Sequence, residues 1–250
     1  MISNKTNICF ICAVLHLLIL QISASVQNDI LYIILYLFAY ALPSFILWKT
    51  VKDTQDTEKK PIALTHIFAF FPIMITISSV AVLIFDSASA GNYEVNTSTF
   101  LLAGLAAPIC EEIFWRGSVF RSLKKYGFLP SALITSLLFA LMHSGRAEFI
   151  YALFSGILFS YLYYITDSCA SSIILHLLNN CIALLGALFP LLPVIAVLLS
   201  AIIAVIFKIF IKRKIMAPNT PVSTDVFKMP YLYVTAIIYW IYRIMEASFE

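Results

Sequence analysis

The chain has 250 residues, of which 62% are hydrophobic and only 12% are charged, and its formal net charge is +3. A water-soluble domain is about 45–50% apolar and about 25% charged, so this composition excludes that class. The small basic excess does not indicate nucleic-acid binding, and we expect membrane lipids rather than nucleic acid around the protein.

Apolar runs of about 20 residues recur along the chain, and each is long enough to cross the hydrocarbon core of a bilayer as a helix. The sequence therefore predicts an all-α fold, a polytopic transmembrane helical bundle of about eight spans. The predicted spans are 7–26, 29–48, 62–85, 100–120, 130–145, 149–166, 170–189 and 191–211.

The sequence does not decide the role of two apolar segments. A weaker run at 231–245 contains Arg243, and the sequence does not decide whether it spans. The first run could be a cleaved signal peptide, but a second span follows almost immediately, which favours a retained helix. No long polar segment divides the chain, so we expect one integral-membrane domain over residues 1–250.

The basic residues fall on one side of the predicted membrane. With eight alternating spans, all but three of the 16 Lys and Arg residues lie on the side of the N-terminus; the exceptions are Arg116, Arg146 and Arg243. Short loops rich in Lys and Arg stay in the cytoplasm. The pattern therefore predicts a multi-pass protein with a cytoplasmic N-terminus.

Residues 110–117, CEEIFWRG, place two adjacent acids inside the fourth predicted span. Insertion of an ionisable side chain at the centre of a membrane helix costs about 2.5–3.5 kcal/mol. The presence of two such side chains therefore indicates a structural or functional role. Glu112 and Arg116 are four residues apart and can form an ion pair on one helix face. Glu111 points elsewhere, and Pro108 predicts a bend of the helix one turn earlier. A purely structural ion pair, with Glu111 as a bystander, is the simplest alternative.

Three more polar residues lie in the following spans. His143 lies near the end of the fifth predicted span, whereas His176 and Asn180 are four residues apart on the seventh. Counted at 1.5 Å per residue, their depths are comparable to that of Glu111, so we expect the four to line one cavity open to the cytoplasm. His143 agrees least well with a shared depth, because its predicted span is short and places it near the membrane surface opposite to the cytoplasm.

Three motifs carry these residues: EEIFWR at 111–116, FALMH at 139–143 and HLLNN at 176–180. In this order, on successive helices, they resemble the E-E-x-x-x-R, F-x-x-x-H and H-x-x-x-N motifs of the CAAX protease and bacteriocin-processing family of intramembrane proteases, also called the Abi family. The resemblance covers about residues 100–185, the expected catalytic core, and leaves 7–85 and 191–245 as accessory spans.

The resemblance implies an intramembrane endopeptidase that hydrolyses a peptide bond of a membrane-associated or prenylated protein. It implies that Glu111 and His143 activate a water molecule, and that His176 and Asn180 stabilise the oxyanion. The residues it assigns to structural support of the site are Glu112, Arg116 and Phe139.

The participation of a metal stays open at this point. The helical H-E-x-x-H signature is absent, so nothing local requires a cofactor, and metal-free hydrolysis is the favoured interpretation. If Zn²⁺ or another divalent metal is bound, the expected ligands are Glu111, His143 and His176, because two histidines and a glutamate form a known catalytic zinc set.

Two other functions compete with proteolysis. The protein could be a membrane immunity or regulatory protein that keeps the same fold without cleaving anything, although the intact motifs argue against this. It could also be a proton-coupled transporter in which Glu111, His143 and His176 relay protons. Transporters often contain internal repeats with broken helices, and the sequence contains no such repeat.

Overall fold

The computed structural model of the chain describes residues 4–50, 62–85, 100–143, 145–189 and 222–249, with a few positions between 191 and 202. Within these residues the secondary structure is helical and contains no strand. The all-α fold class is therefore confirmed. The helices are α1 (Asn4–Ala24), α2 (Asp29–Thr50), α3 (Leu64–Phe85), α4 (100–123), α5 (Phe128–Ala140), α6 (Arg146–Thr166), α7 (Ala170–Leu188) and α8 (Pro230–Phe249).

The protein is an integral membrane protein. In the described part of the chain, four helices are long and apolar enough to cross a membrane, namely α1, α2, α6 and Leu64–Ala81 of α3. Two further helices, α5 and Ala170–Leu185 of α7, are apolar but shorter. The predicted span at 191–211 lies largely outside the described residues, and the weak run at 231–245 is helical as part of α8.

Helix α4 is the central element of the bundle. It contacts α2 on one side and α5, α6 and α7 on others. Helix α1 packs against α2 and α8, and α3 packs against α6 and α7. Neighbouring helices thus enclose the acidic segment of α4, so Glu112 and Arg116 are buried in protein rather than exposed to lipid.

Helix α4 departs from regular α geometry on both sides of its acids. A π-helical segment, Phe100–Ala106, leads into the α-helical segment Ala107–Phe114, and a second π-helical segment covers Trp115–Phe120. Pro108 lies just after the first π-helical segment, and because it has no N–H it interrupts the hydrogen bonds of the continuous helix at this junction. A bend was predicted near Pro108, and the structure shows a change of helix type there; π-helical turns are rare and often lie at functional sites.

Two turns fix the helix ends on the Lys124 side of the bundle. Gly127 has a φ of 96°, which glycine adopts without strain, and it separates α4 and its short 3₁₀ extension from α5. Asp167 ends α6 in the left-handed region, with a φ of 53°, and Lys124 Nζ donates to its Oδ1 at 2.8 Å. This ion pair holds the end of α4 beside the turn between α6 and α7.

Candidate active site

A fully buried ion pair lies at the centre of the site. Arg116 Nη1 donates to Glu112 Oε1 at 2.9 Å, and neither side chain has any exposed surface. Arg116 Nη2 donates to the carbonyl of Gly156 on α6 at 3.1 Å. The guanidinium carbon lies 4.7 Å and 5.1 Å from the ring centroids of Phe139 and Phe159. The pairing predicted from the four-residue spacing is present, and it links α4 to α5 and α6.

His176 of α7 lies between the two glutamates. Its Nδ1 is 3.1 Å from Glu112 Oε1, and its Nε2 is 3.8 Å from Glu111 Oε2. Because an ionised carboxylate only accepts hydrogen bonds, Nδ1 carries a proton in the first contact. The imidazole thus lies beside both carboxylates, while the guanidinium of Arg116 pairs with Glu112.

His143 lies in the turn after α5 rather than on the helix. The predicted helix at 130–145 ends instead at Ala140, because the last turn closes with i→i+3 bonds, Met142 N–H to Phe139 O and His143 N–H to Ala140 O. The His143 Nδ1 is 3.1 Å from the Phe139 carbonyl oxygen. A carbonyl only accepts, so Nδ1 donates and Nε2 of the neutral ring is left as a proton acceptor.

The backbone of His143 is held from the last described helix. Arg243 Nε of α8 donates to the His143 carbonyl at 3.1 Å, and its guanidinium carbon lies 4.3 Å from the ring centroid of Phe149. The sequence interpretation treated Arg243 only as a charge that weakens a span. The missed signal was the arginine itself, because a cation in an apolar run usually has a buried polar partner.

Asn180 lies one turn after His176 on α7. Its Nδ2 donates to the carbonyl of Ala103, in the first π-helical segment of α4, at 2.9 Å, and its Oδ1 accepts from Asn179 Nδ2 at 3.4 Å. The amide therefore ties α7 to α4 just before the acids. One of its two N–H groups is engaged by this contact.

A cavity of about 230 Å³ adjoins these residues. Glu111 and His143 both line it, together with residues of α1, α2, α5 and α8. His176 and Asn180 are not among its lining residues, although His176 reaches Glu111. Of the four residues expected in one cavity, Glu111 and His143 lie at its surface, and His176 contacts Glu111 from outside the lining.

Tyrosines form a wall of the cavity that the sequence interpretation missed. Tyr32, Tyr36 and Tyr40 of α2 line it, and successive ring centroids are 6.1 Å and 5.2 Å apart. Tyr242 of α8 also lines it. The helices that carry these residues were treated as accessory spans. The available signal was the repeat of tyrosine at every fourth residue, which places the three side chains on one helix face.

The cavity lies toward the end of α1 that is distant from the basic residues. It reaches Ser23 at the end of α1 and Tyr32 near the start of α2. The other end of α1 lies beside the basic end of α4, where Thr6 Oγ1 is 3.0 Å from Tyr126 Oη, directly after Lys124 and Lys125. This position differs from the expectation of a cavity open toward the basic, cytoplasmic side. The depth of each residue, counted along its own predicted helix, could not show toward which end of the bundle the cavity opens.

The residues proposed as metal ligands do not form a ligand group. Among the described residues, no three His, Cys, Asp or Glu side chains are arranged to hold a metal ion. Both nitrogens of His176 face the glutamates, and the Nδ1 of His143 donates to the Phe139 carbonyl. As these side chains are placed, the set of Glu111, His143 and His176 therefore does not fit a metal site.

Comparison with known proteins agrees with the motifs. Residues 94–182 match the family model described as Rce1-like, type II CAAX prenyl endopeptidase. This range contains all three motifs, so the family resemblance is confirmed for this part of the chain. No curated protein and no solved structure matches the chain.

Proposed function

We propose that this protein, whose residues 94–182 match the Rce1-like CAAX endopeptidases, is an intramembrane peptidase that hydrolyses a peptide bond with activated water. One observation carries the proposal: Glu111 of α4 and His143 after α5 line the same cavity. A carboxylate and an imidazole that share a cavity can hold a water molecule and accept its proton.

In the proposed reaction Glu111, assisted by Nε2 of His143, takes a proton from a water molecule. The oxygen of that water bonds to the carbonyl carbon of the peptide, and the carbonyl oxygen becomes an oxyanion. The C–N bond then breaks as the proton passes to the leaving nitrogen. The contact between the Phe139 carbonyl and Nδ1 of His143 supports this assignment, because it leaves Nε2 as the acceptor.

The resemblance assigns His176 and Asn180 to the stabilisation of the oxyanion, although neither lines the cavity. The position of His176 adds a second role, because its Nε2 lies 3.8 Å from Glu111 Oε2 and can orient that carboxylate toward the water molecule. Glu112 and Arg116 support the site by holding His176 and α6 in place.

The proposed substrate is a membrane-associated peptide or a prenylated protein. The helices around the cavity are apolar, so a substrate segment would reach Glu111 from within or beside the bilayer rather than from bulk water. The described residues form one helical bundle without a separate recognition domain, so selection of the substrate would depend on the cavity and on the membrane.

Proteomics of chain termini tests this function. Cells that express the wild-type protein are compared with cells that express Glu111→Gln, which keeps the size of the side chain but removes its basic carboxylate. We expect at least one new terminus that requires Glu111, while Asp225→Asn, a matched change at an exposed carboxylate outside the spans, leaves the pattern unchanged. Identical termini in wild type and Glu111→Gln, with a cellular phenotype that Glu111→Gln preserves, would instead support a non-proteolytic regulatory protein.

A further inference from the structure

The cavity holds proton acceptors from the motif region, whereas hydroxyl donors come from α2. In the arrangement described above, the Glu111 carboxylate and Nε2 of His143 both accept hydrogen bonds. Attack of water on a peptide carbonyl also creates an oxyanion, which requires preorganised donors close to the new charge. The lining of the cavity indicates where such donors are available.

The two residues that the family resemblance assigns to this task lie outside the lining. His176 directs Nδ1 to Glu112 and Nε2 toward Glu111, while Asn180 donates to the Ala103 carbonyl. Each is therefore partly engaged within the protein. A substrate carbonyl that lies in the cavity next to Glu111 needs donors that face the cavity itself.

Tyr36 and Tyr40 meet this requirement. Both line the cavity, and their hydroxyls hydrogen-bond to each other, which leaves one of the two phenol protons for a substrate. A phenol hydroxyl donates one hydrogen bond and is among the side chains that form oxyanion holes.

The ring of Tyr40 is held in place before any substrate arrives. It is only 5% exposed, and its centroid lies 4.6 Å from that of His16 and 6.1 Å from that of Phe114. Tyr36 packs against Tyr40 at a centroid distance of 5.2 Å. A donor fixed by packing needs little reorganisation during the reaction, which is the condition for strong stabilisation of a developing charge.

We propose that Tyr36 and Tyr40 are further catalytic residues, which act as a hydrogen-bonded pair of hydroxyls that donates to the oxyanion of the scissile carbonyl as its charge develops. The inference rests on the proposed peptidase function and deepens it. No O–H bond of the phenols is broken, because the proton of the water molecule moves to Glu111 and then to the leaving nitrogen. Helix α2, which lies outside residues 94–182, thus completes the active site.

The test uses the purified full chain in detergent and a peptide that contains the cleavage site found by terminal proteomics. We expect Tyr36→Phe and Tyr40→Phe each to lower kcat by about 10²–10³-fold, as removal of one oxyanion donor does elsewhere. KM should stay within about threefold, since the lost interaction forms only in the transition state. Tyr231→Phe, at a tyrosine of α8 that is 46% exposed, is the matched control and should behave as wild type.

The outcomes separate this inference from the function on which it rests. If Glu111→Gln abolishes cleavage but the double variant Tyr36→Phe, Tyr40→Phe retains wild-type kcat, the tyrosine proposal fails alone. If kcat falls only in step with a lower melting temperature, the tyrosines are structural and the proposal is likewise wrong. If wild type and Glu111→Gln give identical chain termini, the peptidase function fails, and the inference fails with it.

Discussion

The Glu112–Arg116 ion pair is fully enclosed by protein. Both side chains are fully buried, and the pair takes further hydrogen bonds from His176 and to the Gly156 carbonyl. Stacking of the guanidinium near Phe139 and Phe159 adds cation–π attraction. Such a pair is costly to bury but far more costly to break, because one charge is then left without compensation.

Removal of one partner should therefore destabilise the fold. We expect Arg116→Gln to lower the free energy of unfolding by about 3–5 kcal/mol, since Glu112 remains buried with its charge uncompensated. Unfolding by titration with a denaturing detergent in mixed micelles measures the change. Arg146→Gln, at an exposed arginine at the start of α6, is the control and should change stability little. An effect of Arg116→Gln no larger than that of the control would contradict the structural role.

Arg243 permits a second test at the level of a single residue. We expect Arg243→Leu to lower turnover by about 10–100-fold, because a displacement of about 1 Å at a catalytic group can cost that much. Arg243→Lys keeps the charge but not the planar donor and should restore turnover only in part. The assay is cleavage of the identified substrate, with kcat and KM measured separately. Unchanged kcat in Arg243→Leu would mean that the contact with the His143 carbonyl does not position the imidazole.

At the scale of elements, the close approach of α5 and α6 places the Gly156 carbonyl on Arg116. A Cβ atom at Gly156 would lie 2.9 Å from both Cβ and Oγ of Ser136 and 3.0 Å from Nη2 of Arg116. Real Cβ atoms essentially never approach other atoms so closely, so α6 would have to move away. The glycine is thus required by space rather than by backbone conformation.

We expect Gly156→Ala to destabilise the protein by about 1–3 kcal/mol, as overpacking of a filled core does. The shift of α6 should also weaken the hydrogen bond to Arg116 and reduce cleavage. Gly104→Ala is the matched control, because its Cβ would approach the movable end of Leu184 at 3.1 Å and meet the Phe100 ring at ordinary contact distances of 3.8 Å and 3.9 Å. Thermal unfolding in detergent compares the two variants, and equal melting temperatures would show that α6 can adjust without cost.

The elements were predictable to different degrees from the sequence. Apolar runs located the described helices to within a few residues, because the length of a span is set by bilayer thickness. The π-helical segments of α4 were not predictable, since Pro108 indicates only that the regular hydrogen-bond pattern changes nearby. The end of α5 was misplaced for a related reason: apolar residues continue past Ala140, whereas the closing i→i+3 bonds depend on the turn to α6.

At the scale of the whole molecule, charges and cavity lie toward different ends of the bundle. Lys124 and Lys125 stand at one end of α4, whereas the cavity reaches Ser23 and Tyr32 at the connection between α1 and α2. The positive-inside rule places the basic end in the cytoplasm. Taken together, these positions predict that the substrate approaches the cavity from the opposite, non-cytoplasmic half of the membrane.

Labelling of single cysteines with a membrane-impermeant maleimide tests this orientation. We expect Gln27→Cys, between α1 and α2, to react in intact cells, and Lys125→Cys, after α4, to react only once the cells are permeabilised; both positions are exposed. The native cysteines are buried or half-buried, and the unsubstituted protein gives the background. The reverse labelling pattern would overturn the predicted orientation of the N-terminus and move the substrate to the cytoplasmic side.

The site was only partly predictable from the sequence at this scale. The motifs identified Glu111, His143 and His176 because rare polar residues stand out in apolar helices. They could not identify Tyr36 or Tyr40, since tyrosine is common near membrane surfaces and its role depends on which helix lies against α4. The position of the cavity likewise depends on how α1, α2 and α8 pack together, and this packing cannot be predicted from any one segment of the sequence.

The hydrogen bond between Arg243 and the His143 carbonyl joins residues that are 100 positions apart. During translation the three motifs therefore leave the ribosome well before the residue that anchors the second of them. A nascent chain would carry its acid and its imidazoles into the bilayer while the His143 turn is still loose. On the proposed function, hydrolysis would stay slow until α8 docks, so a half-made copy would cleave little during its own insertion.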